Sequence, residues 1–344
     1  MRTAVVICPG RGTYGKAELG TLQRHFKNPA LMAQFDGRRA ALGQETLTAL
    51  DNAATYSVAK HTRGDNASAL IYAATIADFA ALKDVEILAV TGNSMGWYSA
   101  LACAGALTAE NGFEVVNTMG TLMQNHLIGG QVIHPFMDEN WHDNQSQKAD
   151  LLALVAEINA RPDYILALSI NLGGMLVLAG NDAGLRAFEA TVPAAQSRFP
   201  MRLQNHAAFH TALQAPVATL GREALRVSLF TQPKHPLIDG RGAIWWPHAT
   251  DAAALWDYTL GHQVTEPYDF THAITVAARE FAPDLFIITG PGTTLGGAVA
   301  QSLILANWQG LASKSDFQTA QQSAPFLISM GMEDQRRLVT GETK

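Results

Sequence analysis

The sequence contains little that would crosslink the chain, anchor it in a membrane or attract nucleic acid. Its 344 residues include two cysteines, Cys8 and Cys103, which form neither a disulfide framework nor a C-x-x-C pair. We therefore expect reduced core thiols and a cytoplasmic location. The apolar run at residues 4–8 is too short for a signal segment, and no run approaches the roughly eighteen apolar residues of a membrane span. A net charge of -6 without a basic stripe argues against a nucleic-acid partner.

What the sequence does have is enough apolar side chain to bury a large core. Hydrophobic residues make up 48% of the chain, which argues against disorder. Strand-like apolar runs at residues 3–8, 85–92 and 284–290 alternate with helix-like segments. This alternation predicts an α/β fold, and we expect a parallel-sheet core similar to that of the α/β hydrolases.

An interruption of this alternation predicts an inserted subdomain. Between residues 128 and 204 the segments follow the order β-α-β-β-α-β, which is typical of a ferredoxin-like fold. We expect residues 1–127 and 205–312 to form the α/β core and residues 128–204 to form the ferredoxin-like subdomain. The polar residues 313–344 are expected to form a C-terminal tail that is partly loose.

The segment "AVTGNSMGWYSA", residues 89–100, carries the strongest functional signal. Gly92, Ser94 and Gly96 fit G-x-S-x-G, a sharp turn between a strand and a helix that exposes a serine nucleophile. An apolar strand-like run precedes the motif and a helix-like run follows it, as this turn requires. In such a turn the backbone N–H of Met95 points toward a developing oxyanion. The alternative is a glycine-rich turn around an ordinary serine.

A serine nucleophile needs a base, and the chain has eleven histidines. His210 is our candidate, because it lies where the chain returns from the predicted subdomain to the core. His206 is its close competitor. His126, His134 and His142 lie in or beside polar segments and are more typical of surface histidines.

The opening segment "VICPGRGTYGKAEL" has the glycines of a nucleotide-binding turn. Gly10, Gly12 and Gly15 fit G-x-G-x-x-G and most of the phosphate-binding loop. However, no strand ending in an acidic residue follows, and Ala17 stands where a phosphate loop needs Ser or Thr. We therefore expect this turn to supply a second oxyanion donor beside Ser94 rather than to bind a nucleotide.

No metal centre is expected. The cluster of His134, Asp138, Glu139 and His142 fits no recurrent ligand spacing and is more typical of a solvated loop.

Four separated pieces of the sequence resemble one enzyme family, in order and spacing, from about residue 3 to residue 300. The sequence resembles the malonyl-CoA:acyl carrier protein transacylases in the segments "CPGRGTYG", "GNSMGWYSALACAGAL", "AAFHTALQAPV", and "HQVTEPYDF" followed by "ITGPGTTLGG". The resemblance implies an acyl-CoA:acyl carrier protein S-acyltransferase that works through an acyl-serine. Such an enzyme would need no bound cofactor, since acyl-CoA would be the substrate and the phosphopantetheine of a carrier protein the acceptor.

The resemblance also implies roles for individual residues. Ser94 would be the nucleophile, His210 the base, and Gln263 would orient the imidazole through its backbone carbonyl, in place of a triad carboxylate. The backbone N–H groups of Arg11 and Met95 would form the oxyanion hole.

The acyl pocket is implied by the same resemblance, at Asn93, Trp97, Met119, Asn171 and Phe209. Met119 stands where the family binds the carboxylate of malonate with an arginine, and a methionine cannot pair with that charge. We therefore expect an acyl unit without a free carboxylate, such as acetyl. Arg11 is the alternative source of the missing positive charge.

Two other functions remain open from the sequence. An acyl carrier protein thioesterase of the same fold would use Ser94 and His210 but pass the acyl group to water. A non-catalytic module that docks carrier proteins would need none of these side chains. In each case we expect a monomer that has no nucleic-acid or membrane partner.

Overall fold

The computed structural model describes residues 1–341, and its strands form two separate sheets. Within this range the strands are β1 (Arg2–Cys8), β2 (Val85–Gly92), β3 (Gly130–Pro135), β4 (Leu166–Leu172), β5 (Met175–Gly180), β6 (Met201–Arg202), β7 (Leu237–Ile238), β8 (Ile244–Trp245), β9 (Tyr268–Asp269), β10 (Leu285–Ile288) and β11 (Leu327–Ser329).

The helices cover both sheets. Within residues 1–341 they are α1 (Thr21–His25), α2 (Pro29–Ala41), α3 (Leu47–Asp51), α4 (Val58–His61), α5 (Gly64–Ala81), α6 (Gly96–Cys103), α7 (Ala109–Asn125), α8 (Gln145–Asn159), α9 (Asp182–Thr191), α10 (Ala215–Ala224), α11 (Ala252–Leu260), α12 (His262–Thr265), α13 (Phe270–Phe281), α14 (Gly296–Leu305), α15 (Lys314–Ser323) and α16 (Glu333–Thr340). None of them combines the length and the apolarity that crossing a bilayer requires.

The larger sheet is mainly parallel, as the sequence predicts. Its order is β11-β10-β1-β2-β7-β8, and the pairs are parallel except the edge pair of β7 and β8. Val5, Val6 and Ile7 of the central strand β1 are fully buried, because helices cover both faces of such a sheet. The carboxyl ends of β1 and β2 are neighbours, with Cys8 beside Gly92, and this adjacency brings the two glycine-containing turns together.

The smaller sheet has the order β6-β3-β5-β4-β9. Residues 128–204 contribute β3, α8, β4, β5, α9 and β6, which is the element order that the sequence predicts. Strand β9 comes from outside this segment and pairs in parallel with β4, with Ile170 opposite Tyr268. The segment is therefore attached to the rest of the fold by a strand as well as by its two ends.

The prediction of a loose C-terminal tail is wrong for residues 313–341. This stretch forms α15, β11 and α16, and β11 completes the edge of the larger sheet beside β10. The strand has three residues, too few to produce a periodic pattern in the sequence. Residues 342–344, the end of the predicted tail, lie outside the described part of the chain.

Candidate active site

Ser94 occupies a strained turn between β2 and α6. Its φ is 56°, a left-handed conformation that is uncommon for any residue other than glycine. A side chain at Gly92 would collide with the backbone of Gly96, and one at Gly96 would collide with the carbonyl of Cys8. The two glycines thus let the turn fold tightly against the end of β1.

Ser94 and His210 are in direct contact, although 116 positions separate them in the chain. Ser94 Oγ lies 2.7 Å from His210 Nε2, and His210 Nδ1 lies 2.6 Å from the carbonyl oxygen of Gln263. A carbonyl can only accept a hydrogen bond, so Nδ1 carries the proton and donates it. Nε2 of the neutral ring is then the acceptor for the Ser94 hydroxyl, as a general base requires.

Burial keeps the His210 ring in this neutral form. Removal from water lowers the pKa of His210 to about 4, and the hydrogen bond to the Gln263 carbonyl opposes the shift only in part. At neutral pH the ring is therefore unprotonated and able to take a proton from Ser94.

The Gln263 side chain makes further hydrogen bonds to Ser94 and to the helix that follows it. Its Nε2 donates to the backbone carbonyl of Ser94 at 3.1 Å, and its Oε1 accepts from the Tyr98 hydroxyl at 3.0 Å. The backbone N–H of His210 donates to the carbonyl of Val264 at 3.1 Å. Sequence reasoning missed Tyr98, although it lies four residues after the nucleophile, one helical turn further along α6.

Two backbone N–H groups beside Ser94 are available to an oxyanion. Those of Arg11 and Met95 donate to no acceptor within residues 1–341, and both residues line a cavity next to the hydroxyl. Two free donors from separate turns are what stabilisation of a tetrahedral oxyanion needs.

Two cavities meet at Ser94. The small cavity has a volume of about 20 Å³ and is also lined by Ser68, Tyr98, Gly120 and Met123. It has room for about one water-sized group.

The large cavity has a volume of about 550 Å³, which is in the usual range of ligand sites. It extends from Ser94 between the first glycine turn, the start of α14 and one face of the smaller sheet. That face is apolar and contributes Ile133, Ile170, Leu172, Met175 and Val177.

Arg11 lines both cavities, and its guanidinium group is a positive charge close to Ser94. One guanidinium nitrogen donates to the carbonyls of Thr62 and Asn205, both at 2.8 Å, while the buried Nε has no hydrogen-bond partner within residues 1–341. Burial lowers the pKa of Arg11 to about 10, against the attraction of Asp65, so the group stays charged at neutral pH. Asp65 is itself paired with Arg63 at 3.0 Å.

The predicted acyl-pocket residues do not all line a cavity. Asn93 lines the large cavity, and Phe209 lines both. Trp97 lines neither cavity: its side chain is fully buried in the core, where Nε1 donates to Thr259 Oγ1 at 3.0 Å. A residue three positions after the nucleophile lies on α6, and here the apolar ring packs inward, away from both cavities.

Met119 also lines neither cavity. This residue is fully buried, and its thioether packs against Gly221 of α10, where the missing side chain leaves room for it. Its neighbours Gly120 and Met123 line the small cavity instead.

Asn171 is the third predicted pocket residue that lines neither cavity. Its side-chain amide donates to Asp269 at 2.9 Å and its Oδ1 accepts from Lys148 at 3.2 Å, which places it between β4, α8 and the start of α13. Ile170 and Leu172 line the large cavity, and alternate residues of a strand point to opposite faces. The amide therefore connects elements rather than facing the site.

His206, the competing base, makes no hydrogen bond to Ser94. The residue lines the large cavity, and its Nδ1 lies 2.9 Å from Gln131 Oε1. The loop cluster at residues 134–142 contributes one exposed contact, between His142 Nδ1 and Asp138 at 2.9 Å. Within residues 1–341 no group of three or more His, Cys, Asp or Glu side chains could hold a metal ion.

No protein-family model matches the chain, but several curated proteins are similar to it. It is 26% identical over 211 residues to the malonyl CoA-acyl carrier protein transacylase of Salmonella typhimurium, across 60% of this chain. The chain thus spans 63% of the length of that relative. The transacylase of Haemophilus influenzae is 25% identical over 305 residues, 86% of this chain and 91% of that protein. The predicted resemblance to this family is confirmed.

Solved structures share the fold. The malonyl-CoA:acyl carrier protein transacylase of Xanthomonas oryzae superposes with a TM-score of 0.71 at 21% identity, over 94% of this chain and 99% of that one. The transacylase of Helicobacter pylori gives 0.73 at 16% identity, over 99% and 98%. A complex of a type II PKS acyl-carrier protein with its malonyl-transacylase gives 0.70 at 21% identity, over 94% and 100%.

Proposed function

We propose that this chain, a relative of the malonyl-CoA:acyl carrier protein transacylases, is a serine acyltransferase that moves an acyl group from acyl-CoA to an acyl carrier protein. One observation carries the proposal: Ser94 Oγ lies 2.7 Å from a neutral, buried His210 whose other nitrogen is held by a carbonyl. We further infer that the larger sheet is a hydrolase-like core and that residues 128–204 are a ferredoxin-like insertion.

In the first half of the reaction, Ser94 Oγ attacks the thioester carbon while His210 Nε2 takes the hydroxyl proton. The negative charge on the thioester oxygen is met by the N–H groups of Arg11 and Met95. When the tetrahedral intermediate collapses, the C–S bond breaks and His210 returns the proton to the leaving thiolate. The products are free CoA and an acyl ester on Ser94.

In the second half the same residues work in reverse. His210 removes the proton from the phosphopantetheine thiol of a carrier protein, and the thiolate attacks the ester carbon. The C–O bond to Ser94 breaks, and Ser94 Oγ recovers a proton from His210. Nothing is oxidised or reduced, so no bound cofactor is needed.

The two cavities suggest where the two ends of the thioester lie. The acyl carbonyl must face the N–H groups of Arg11 and Met95, and both residues line the small cavity. We therefore assign the acyl group to the small cavity. The large cavity would then hold the long arm of the thioester, to which the acyl group is attached. A volume of about 20 Å³ favours a short acyl group, with acetyl as the first candidate.

A second candidate is an acyl group with a free carboxylate. It is favoured by Arg11, a half-buried cation whose buried Nε has no hydrogen-bond partner within residues 1–341. A buried charge without a counter-ion is costly, and a substrate carboxylate would relieve that cost.

Arg11→Met separates these two candidates. If Arg11 binds a carboxylate, we expect the ratio of Ser94 acylation rates with malonyl-CoA and acetyl-CoA to fall about tenfold or more, since a charged hydrogen bond is lost. Arg186→Met removes an arginine that is 76% exposed on α9 and serves as the matched control. An unchanged ratio in Arg11→Met would reject the carboxylate candidate.

The transfer itself is tested by mixing the protein with acetyl-CoA and a phosphopantetheinylated carrier protein. We expect acetyl-carrier protein to accumulate faster than free acetate. Release of acetate from acetyl-carrier protein without transfer would instead identify a thioesterase, and no turnover in either assay would point to a docking module.

We also propose a cytoplasmic, monomeric protein. The buried thiols of Cys8 and Cys103 lie 3.9 Å apart without a bond between them, as a reducing compartment would leave them.

A further inference from the structure

A chain of three hydrogen-bonded side chains leads from the large cavity to the residue before His210. His206 Nδ1 lies 2.9 Å from Gln131 Oε1, Gln131 Nε2 lies 2.7 Å from Ser169 Oγ, and Ser169 Oγ lies 2.8 Å from the carbonyl oxygen of Phe209. Gln131 and Ser169 are almost fully buried. We call His206, Gln131 and Ser169 the polar relay.

The direction of every hydrogen bond in the polar relay follows from its last acceptor. The Phe209 carbonyl can only accept, so the Ser169 hydroxyl donates to it and must accept from Gln131. Gln131 therefore presents its NH₂ to Ser169 and its oxygen to His206. It follows that His206 Nδ1 is the protonated nitrogen, and Nε2 of the neutral ring is an acceptor.

No group in the described part of the chain uses that acceptor. Within residues 1–341 no group is hydrogen-bonded to His206 Nε2, and His206 lines the large cavity. Burial, with a further contribution from the positive charge of Arg11, lowers the pKa of His206 well below its ordinary value. A fixed neutral acceptor in a mainly apolar cavity is suited to a ligand that brings a hydrogen-bond donor.

The surroundings limit what this donor can be. Arg11 also lines the large cavity, and its positive charge disfavours a cationic ligand such as an amine. The thioester arm assigned to this cavity under the proposed function carries secondary amides. An amide N–H that enters an apolar cavity loses its water and needs a new acceptor, or it weakens binding.

We propose that His206 is a specificity-determining residue whose Nε2 accepts a hydrogen bond from an amide N–H of the pantetheine arm. Gln131 and Ser169 act as positioning residues that hold the ring in the required tautomer. This inference rests on the proposed function, because it takes the arm of a thioester as the occupant of the large cavity.

The test varies the enzyme and the substrate together. Acylation of Ser94 is measured as kcat/KM with acetyl-pantetheine and with S-butyl thioacetate, which has no amide. In His206→Leu we expect the ratio of the two kcat/KM values to fall about three- to tenfold, the effect of one lost hydrogen bond. His206→Gln keeps an acceptor oxygen and should recover part of the ratio.

A second measurement needs no variant, in case His206→Leu does not fold. An acetyl-pantetheine analogue with the amide NH groups replaced by CH₂ should react about three- to tenfold more slowly with the unaltered protein. Equal rates for the two thioesters, or an unchanged ratio in a folded His206→Leu, would overturn the inference while leaving the acyltransferase intact. Absence of Ser94 acylation with every thioester would overturn the proposed function and this inference with it.

Discussion

At the scale of single residues, the site combines a strained backbone at Ser94 and His210 with a pKa of His210 that lies well below the usual value for histidine. Ser94 and His210 both have positive φ, at 56° and 57°, so the backbone at each residue is held in a conformation that costs of order 1 kcal/mol or more. The surrounding hydrogen bonds, from Gln263 to Ser94 and from His210 to Val264, hold this geometry. The strain is consistent with two groups that must meet in one orientation.

The depressed pKa of His210 predicts the pH dependence of acylation. Only the neutral ring can take the Ser94 proton, and burial lowers its pKa to about 4. The value of kcat/KM for Ser94 acylation by acetyl-CoA should therefore stay constant between about pH 5 and about pH 8. Protonation lowers the rate only as the pH approaches 4.

This profile is measured in single turnovers without carrier protein, so that the acceptor thiol does not contribute its own titration. A loss of activity centred near pH 6.5, the ordinary value for histidine, would contradict the neutral, buried assignment of His210. Circular dichroism at each pH separates titration of the ring from acid unfolding.

At the scale of elements, the sequence predicts what depends on local pattern and misses what depends on distant neighbours. The predicted strand at residues 85–92 coincides with β2, because it is a long apolar run that ends in a diagnostic turn. The sequence does not predict strand β11, because three residues are too few to show the alternation of apolar and polar side chains that is typical of a strand. The orientation of Met119 depends on Gly221 in another helix, and no local pattern contains that information.

The C-terminal elements are held to the core by a buried ion pair. Arg336 of α16 pairs with Asp78 of α5, and both side chains are almost fully buried. Asp78 also accepts from the backbone N–H of Gly290 at 2.6 Å. Burial raises the pKa of Asp78 to about 6, and the attraction of Arg336 and the Gly290 hydrogen bond limit that rise.

Arg336→Met should destabilise the fold markedly. It leaves Asp78 buried without its counter-ion, which typically costs about 3–5 kcal/mol of the free energy of unfolding. Urea denaturation at neutral pH measures the loss. Arg337→Met, at the exposed neighbouring position, is the control and should change stability by less than about 0.5 kcal/mol. Similar stabilities for the two variants would show that the buried pair does not hold α16 in place.

At the scale of the whole molecule, the site lies where residues associated with two different sheets line one cavity. The larger sheet supplies the turns that carry Arg11 and Ser94, and the smaller sheet supplies the apolar wall of the large cavity. His210 follows directly after the segment that forms most of the smaller sheet, so the base arrives where the two parts meet. Because this arrangement brings Ser94 and its base His210 together beside the cavities, we predict a covalent acyl intermediate on Ser94.

The most direct test is the mass of the protein after brief mixing with acetyl-CoA in the absence of a carrier protein. We predict the addition of one acetyl group, located on the peptide that contains Ser94. Ser94→Ala should abolish it, and His210→Ala should slow it by about two orders of magnitude or more. Labelling that persists in Ser94→Ala, or its absence from the unaltered protein with both acetyl-CoA and malonyl-CoA, would contradict a serine acyltransferase.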